Sequence, residues 1–166
     1  MRYHLRERAW SITEDFLVRD DRGQAIFEVR GRFFHIGDNL VLLDRSSGQN
    51  LVEIKQRLIS LLPSYDIYRQ GQHWANVHEQ LHLFGGERFK VEGENGQVFH
   101  IQGNLWDWSF TITDNAGNLW ATVGRQFSLF RDSYAVDVVS GVDAPFIIAL
   151  AVVIELVKEH HEEHRA

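Results

Sequence analysis

From Ala144 to Ile154 the sequence reads APFIIALAVVI and offers no charge and no side-chain hydrogen-bonding group, so a helix here is apolar on every side. Such a helix has to be enclosed. Glu155 ends the strictly apolar run well short of the roughly 20 residues that a bilayer core requires, so the expected enclosure is protein. Asp143 is placed to cap the N-terminus, Pro145 is tolerated in the first turn, and Lys158 and His160 suit the negative end of the helix dipole. The expectation is a central helix over residues 143–160 followed by a short fraying tail, 161–166.

The rest of the chain reads as a wall for that helix. Glycine-centred turns recur at Gly23, Gly48, Gly71, Gly96, Gly117 and Gly141, each about two dozen residues after the last. Their flanks alternate apolar and polar with the period of two that marks strands with one buried face. Phe16 and Val18 precede the first turn, and Phe27 and Val29 follow it. The same holds for Leu40 and Leu42 with Val52 and Ile54, and for Tyr65 and Ile67 with Trp74 and Val77. Phe89 and Val91 pair with Phe99 and Ile101, and Phe110 and Ile112 with Trp120 and Val123. Asp, Asn, Ser and Gly in the turns supply the positive φ angles and side-chain-to-backbone bonds of tight hairpins.

The links between hairpins also repeat. Trp10-Ser11-Ile12, Phe34-His35-Ile36, Ile59-Ser60-Leu61, Leu81-His82-Leu83, Trp106-Asp107-Trp108 and Phe127-Ser128-Leu129 each set two large apolar residues around a polar one. This predicts corners that keep both apolar side chains inside. A coarser duplication is offset by about 70 residues: FLVRDDRGQAIFEVRG parallels FKVEGENGQVFHIQG, and LLDRSSGQNLVEI parallels TITDNAGNLWATV. With a leading strand at about Tyr3 to Trp10, this gives about a dozen strands, near the upper end for an open sheet that does not curl. Closure also removes the exposed edges. The expected fold is one mainly β domain, a closed antiparallel barrel with strands over residues 1–142 around the C-terminal helix.

Composition limits what such a barrel meets. Seventeen Lys and Arg against 23 Asp and Glu leave a net charge of -6, so no global attraction draws the chain to nucleic acid or an anionic membrane. The absence of Cys removes disulfides, thiolate catalysis, thiolate zinc sites and S-acylation. The start, MRYHLRERAW, lacks the apolar core of a signal peptide, and no segment approaches a membrane span, which predicts a cytoplasmic protein that meets membranes only peripherally.

Four motifs, YHLRERAWSI near the start, FxVxDxxGxxxFxVxG, IKQRLISLLPSYDIY, and DSYAVDV before the apolar helix, together resemble a bacterial member of the LURP-one-related family. That family shares the tubby C-terminal-like fold with phospholipid scramblases. The resemblance covers essentially the whole chain. It implies a barrel of about twelve strands around a C-terminal helix, and no established activity. Tubby domains bind phosphoinositide headgroups, and scramblases act at membranes with calcium. The tubby basic pair has no counterpart here, and the acylated cysteine segment of scramblases is absent. The stretch matching the scramblase calcium segment keeps only Asp132, Asp137 and Asp143, spaced too widely for a calcium loop and better read as turn and cap residues.

The remaining candidates are few. Arg30 and Arg32, Lys55 and Arg57, and Arg88 and Lys90 are i, i+2 pairs, which a strand projects from one face; inward Val29, Ile54 and Phe89 assign that face to solvent. Together they could cradle a phosphorylated headgroup, although a solvated barrel exterior with Glu28, Glu53 and Glu92 interspersed is the commoner meaning of the pattern. His160, Glu163 and His164 match an H-x-x-E-H spacing, but a frayed terminus lacks the third ligand and the shielded cavity of a catalytic zinc. His35, His73, His78, His82 and His100 show no clustering along the chain. Asp107, between Trp106 and Trp108, is expected to face water. No nucleophile elbow, P-loop or dinucleotide fingerprint occurs, and a helix filling the barrel occupies the usual interior ligand site. The sequence therefore points to a non-enzymatic binding module without cofactor or metal, recognising phospholipid or phosphoinositide headgroups on its outer surface. The alternative is a structural or regulatory domain that binds a protein partner through exposed corner aromatics such as Trp106 and Trp108.

Overall fold

A computed structural model of the chain describes residues 1–6, 16–33, 37–81, 83, 85–125 and 133–165, with backbone alone at 32, 33 and 38. These residues form twelve strands and one helix. The strands are β1 (Arg2–Arg6), β2 (Phe16–Asp20), β3 (Ala25–Phe33), β4 (Asp38–Asp44), β5 (Asn50–Gln56), β6 (Ser64–Arg69), β7 (Gln72–Gln80), β8 (Glu87–Gly93), β9 (Val98–Asn104), β10 (Ser109–Asp114), β11 (Leu119–Arg125) and β12 (Ser133–Val138). The helix is α1 (Ala144–Arg165). Each strand pairs antiparallel with its sequence neighbour, and β1 closes the ring on β12 with Tyr3 opposite Val136.

The expected architecture holds in its main lines. Alternation places Val18, Val29, Leu40, Leu42, Val52, Ile54, Phe89, Val91, Phe99 and Ile101 inside, around a helix buried at every position from Phe146 to Lys158. Phe99 joins wall to helix, with its ring 5.6 Å from Phe146. Asp143 caps α1 by accepting the Phe146 amide at 3.4 Å, and its carboxylate also receives Arg69. All six predicted turn glycines have positive φ, between 72° at Gly48 and 86° at Gly117. In two of the duplicated turns the leading aspartate does matching work: Asp20 Oδ1 accepts the amides of Arg22 and Gln24, and Asp114 Oδ1 those of Ala116 and Asn118.

Three expectations need correcting. The helix does not stop at His160 but continues to Arg165, because its last turns meet the wall. His161 Nε2 lies 3.0 Å from Glu79 Oε2, and the Arg165 guanidinium sits 4.5 Å over the Trp106 ring. Trp74 is exposed, and Trp120 is only partly buried, packing on the core with its ring 4.5 Å from Phe99; β-bulges between Ile67 and Tyr68 and between Ile112 and Thr113 shift the phase, so Ala75 and Ala121 take the fully buried positions.

The corners also fail where they can be seen. Ile59, Leu61, Leu81 and Leu83 are exposed rather than enclosed, since the chain leaves the sheet after Gln56 and Gln80 and strand alternation no longer maps onto inside and outside. In the third described corner Trp108 is buried and Trp106 is partly exposed. The corners at Trp10, Phe34 and Phe127 lie outside the described residues.

Candidate functional site

Because consecutive strands run antiparallel, their connections alternate between the two ends of the barrel. One end carries the glycine hairpins. The other carries the loops 57–63, 81–86 (described at Leu81, Leu83, Gly85 and Gly86) and 105–108, which follow one another around the rim. Helix α1 starts at the hairpin end and finishes among these loops, where Lys158 Nζ lies 4.7 Å over the Trp108 ring and Trp108 stacks on Tyr134 at 4.4 Å. The backbone is tight here. Trp108 has a φ of 48°, and a Cβ on Gly103 would lie 2.0 Å from the Ser109 carbonyl oxygen.

Just below the loops, strand register draws outward residues from different parts of the sequence into one row. The Arg57 amide donates to the Ser64 carbonyl; Ser64 stands opposite His78, His78 opposite Lys90, and Lys90 opposite His100. No carboxylate lies in that row. Arg88 is two residues, one row on the same face, nearer the loops, between Gln80 and Gln102. With strands about 4.8 Å apart, Arg57 and Lys90 are separated by roughly 14 Å at the backbone, within reach of one another's long side chains through a shared anion.

The predicted cations are thus sorted by the fold. Arg57, Arg88 and Lys90 share the band below the loops. Lys55 lies one row further away, 3.7 Å from Glu53 and 4.7 Å over the Tyr68 ring. Arg30 is on β3, two strands before β5, with its Nε on Glu28 at 2.9 Å. The backbone of Arg32 pairs with Asn39, and its side chain lies outside the described residues.

A polar cluster missed in the sequence supports this band. Asp66 projects outward from β6 yet is buried, under Arg57 at 2.7 Å, His73 at 2.8 Å and Asn76 at 3.2 Å. Burial pushes the Asp66 carboxyl up, but hydrogen bonds from Arg57, His73 and Asn76 outweigh it and hold the group below the usual carboxylate range. His73 bridges Asp66 and Glu94, and its bond to Asp66, opposed by burial and helped by Glu94, raises the imidazole above its ordinary value. Period-two reading places Asp66 on the outer face but contains no signal that neighbouring side chains will cover it.

The lesser candidates are accounted for. Asp137 takes both arms of Arg2 at 2.7 and 3.1 Å, and Asp143 caps the helix; Asp132 lies outside the described residues. In the tail, His164 Nδ1 bonds the His160 carbonyl at 2.8 Å, and burial lowers the His160 imidazole together with neighbouring His164 and His161. Among the described residues no group of three metal-binding side chains occurs. Asp107 is exposed.

The family model for LURP-one-related proteins matches residues 1–155. The chain belongs to the LURP-one-related family. Among curated relatives of this LURP-one-related protein, the Bacillus subtilis protein YxjI is 33% identical over 159 residues, spanning 96% of this chain and 94% of that one. The Arabidopsis thaliana protein LURP-one-related 15 is 25% identical over 167 residues, covering 87% of this chain and 74% of its own. Neither name states an enzymatic activity. An X-ray structure of an Arabidopsis thaliana protein shares the fold, with a TM-score of 0.68 at 20% identity, covering 94% of this chain and 91% of that one. Among the described residues, no helix of this family member is long and apolar enough to cross a membrane.

Proposed function

We propose that this LURP-one-related protein is a non-enzymatic binding module that recognises phospholipid headgroups, phosphoinositides included, on its outer surface, with Arg57, Arg88 and Lys90 as the principal contacts. The observation that carries the reading is the band itself: register places Arg57, Ser64, His78 and Lys90 side by side with no carboxylate in the row, directly below the loop rim. Asp66 engages Arg57 through Nε alone, so the outer guanidinium fork stays available for a phosphate. Lys90 is held by Glu92 at 2.8 Å, and among the described residues Arg88 has no carboxylate partner. The buried helix leaves the exterior as the place where a ligand is met. Arg30, Arg32 and Lys55 are outlying contributors, and the protein meets the membrane peripherally, from the cytoplasmic side.

Flotation with phosphoinositide-containing and phosphatidylserine-containing vesicles at low salt tests this. Binding is expected for the wild type, reduced by Arg88→Gln and more by Arg88→Gln with Lys90→Gln. Absence of wild-type binding to every anionic vesicle removes the reading and favours a protein partner.

A further inference from the structure

Leu58, Ile59, Leu61, Leu81 and Leu83 lie on two neighbouring loops of the same rim, and Ile59, Leu61, Leu81 and Leu83 are 89% to 104% exposed. Side chains so open add nothing to the fold, and while one exposed leucine is ordinary, a contiguous set marks a surface that is covered in use. The next loop along adds Trp106, 42% exposed beneath Arg165. Neither apolar segment, RLISLLP from Arg57 to Pro63 or LHLFGG from Leu81 to Gly86, contains an acidic residue; Arg57 opens the first, and the second is followed by Glu87, whose carboxylate accepts the Leu105 amide at 3.0 Å, and then by Arg88. Aliphatic tips, a half-exposed indole and flanking arginines together match the boundary between lipid headgroups and acyl chains.

We infer that this rim is a membrane-insertion surface: Leu58, Ile59 and Leu61 of the loop 57–63, with Leu81 and Leu83 of the next loop, enter the interfacial region of an anionic phospholipid bilayer, with Trp106 at headgroup depth. The inference rests on the headgroup reading above and supplies its missing half, the part of the lipid met below the phosphate. Charge alone is insufficient for the attachment. The net charge is -6, and Glu162 and Glu163 emerge at the same end as the loops, opposing an anionic surface. Apolar insertion therefore contributes more to attachment than charge does, and binding survives screening.

The experiment uses the full chain with vesicles of phosphatidylcholine, with and without phosphatidylserine, at low salt and at about 1 M salt, where charges are screened beyond roughly 3 Å. The wild type is expected to bind the anionic vesicles at both ionic strengths, with tryptophan emission shifting to shorter wavelength, a shift absent in Trp106→Phe. Ile59→Ser, Leu61→Ser, Leu81→Ser and Leu83→Ser combined keep the thermal transition and lose at least about tenfold in vesicle affinity. If this variant binds like the wild type while Arg88→Gln with Lys90→Gln does not, the headgroup reading stands and insertion is overturned. If the wild type binds no vesicle, both fall. If it self-associates in sedimentation without floating, and the serine variant does not self-associate, the rim is a contact between copies of this chain and the inference is overturned.

Discussion

At one end of the barrel the hairpins close within a few polar residues around a positive-φ glycine, and aspartates such as Asp44 and Asp114 spend their oxygens on the turn itself. At the other, the same strands run into loops that hold Leu58, Ile59, Leu61, Leu81 and Leu83 out in water. Turn hydrogen bonding accounts for the first end. Among the described residues nothing accounts for the second, where apolar side chains are left unburied beside a core that holds every helix position from Phe146 to Lys158. The difference separates residues kept for stability from residues kept for contact.

The largest expected effect comes from removing what both ends share. A chain ending at Asp143 lacks the helix and is expected to show no cooperative thermal transition, because the inner faces of the strands lose the buried helix they enclose from Phe146 to Lys158.

At the loop end, Gly103→Ala brings a Cβ to 2.0 Å from the Ser109 carbonyl oxygen and is expected to cost about 3 kcal/mol in urea unfolding. At the hairpin end, Gly48→Ala meets no atom within 4 Å and costs only its φ of 72°, about 1 kcal/mol by the same measurement. Equal costs at the two sites would mean that the loop end is not the more tightly packed backbone.

Asp143→Ala removes the helix cap and the partner of Arg69, with about 1 kcal/mol expected in the same assay. A smaller effect, about 0.5 kcal/mol, follows from His73. Its folded-state pKa is raised above the ordinary 6.5, so its contribution is complete below that value and is lost as pH rises through the raised one. Thermal melts across that window should show the decline in the wild type and not in His73→Gln. Smallest of all, Leu81→Ser or Leu83→Ser should change stability by less than about 0.5 kcal/mol, and a larger loss would show that the exposed loops support the fold after all.

The fold was legible because it rests on periods. Six glycine turns, strand alternation from Phe16 to Val123 and an unbroken apolar helix each point to the same barrel. Legibility stops where the period stops. Bulges beside Ile67 and Ile112 moved Trp74 and Trp120 out of phase, and the loops after Gln56 and Gln80 reversed the expected placement of Ile59, Leu61, Leu81 and Leu83. The site suffered more than the fold. Arg57, Ser64, His78 and Lys90 become neighbours only through strand register, and the burial of Asp66 depends on Arg57, just past β5, and on His73 and Asn76 of β7. One signal of the rim does lie in the sequence: in RLISLLP and LHLFGG, a run of apolar residues coincides with the lack of any acid.

Closure of the ring by β1 and β12 bears on how the protein is made. The amino group of Met1 bonds the Val138 carbonyl at 2.7 Å, a contact spanning 137 positions in sequence. On the ribosome the first strand can pair with β2 early but must wait for β12 until residues 133–138 have emerged, and the apolar stave that fills the centre is translated later still. Until then a curved sheet with two raw edges stands open, and its folding should be slow and dependent on protection from aggregation.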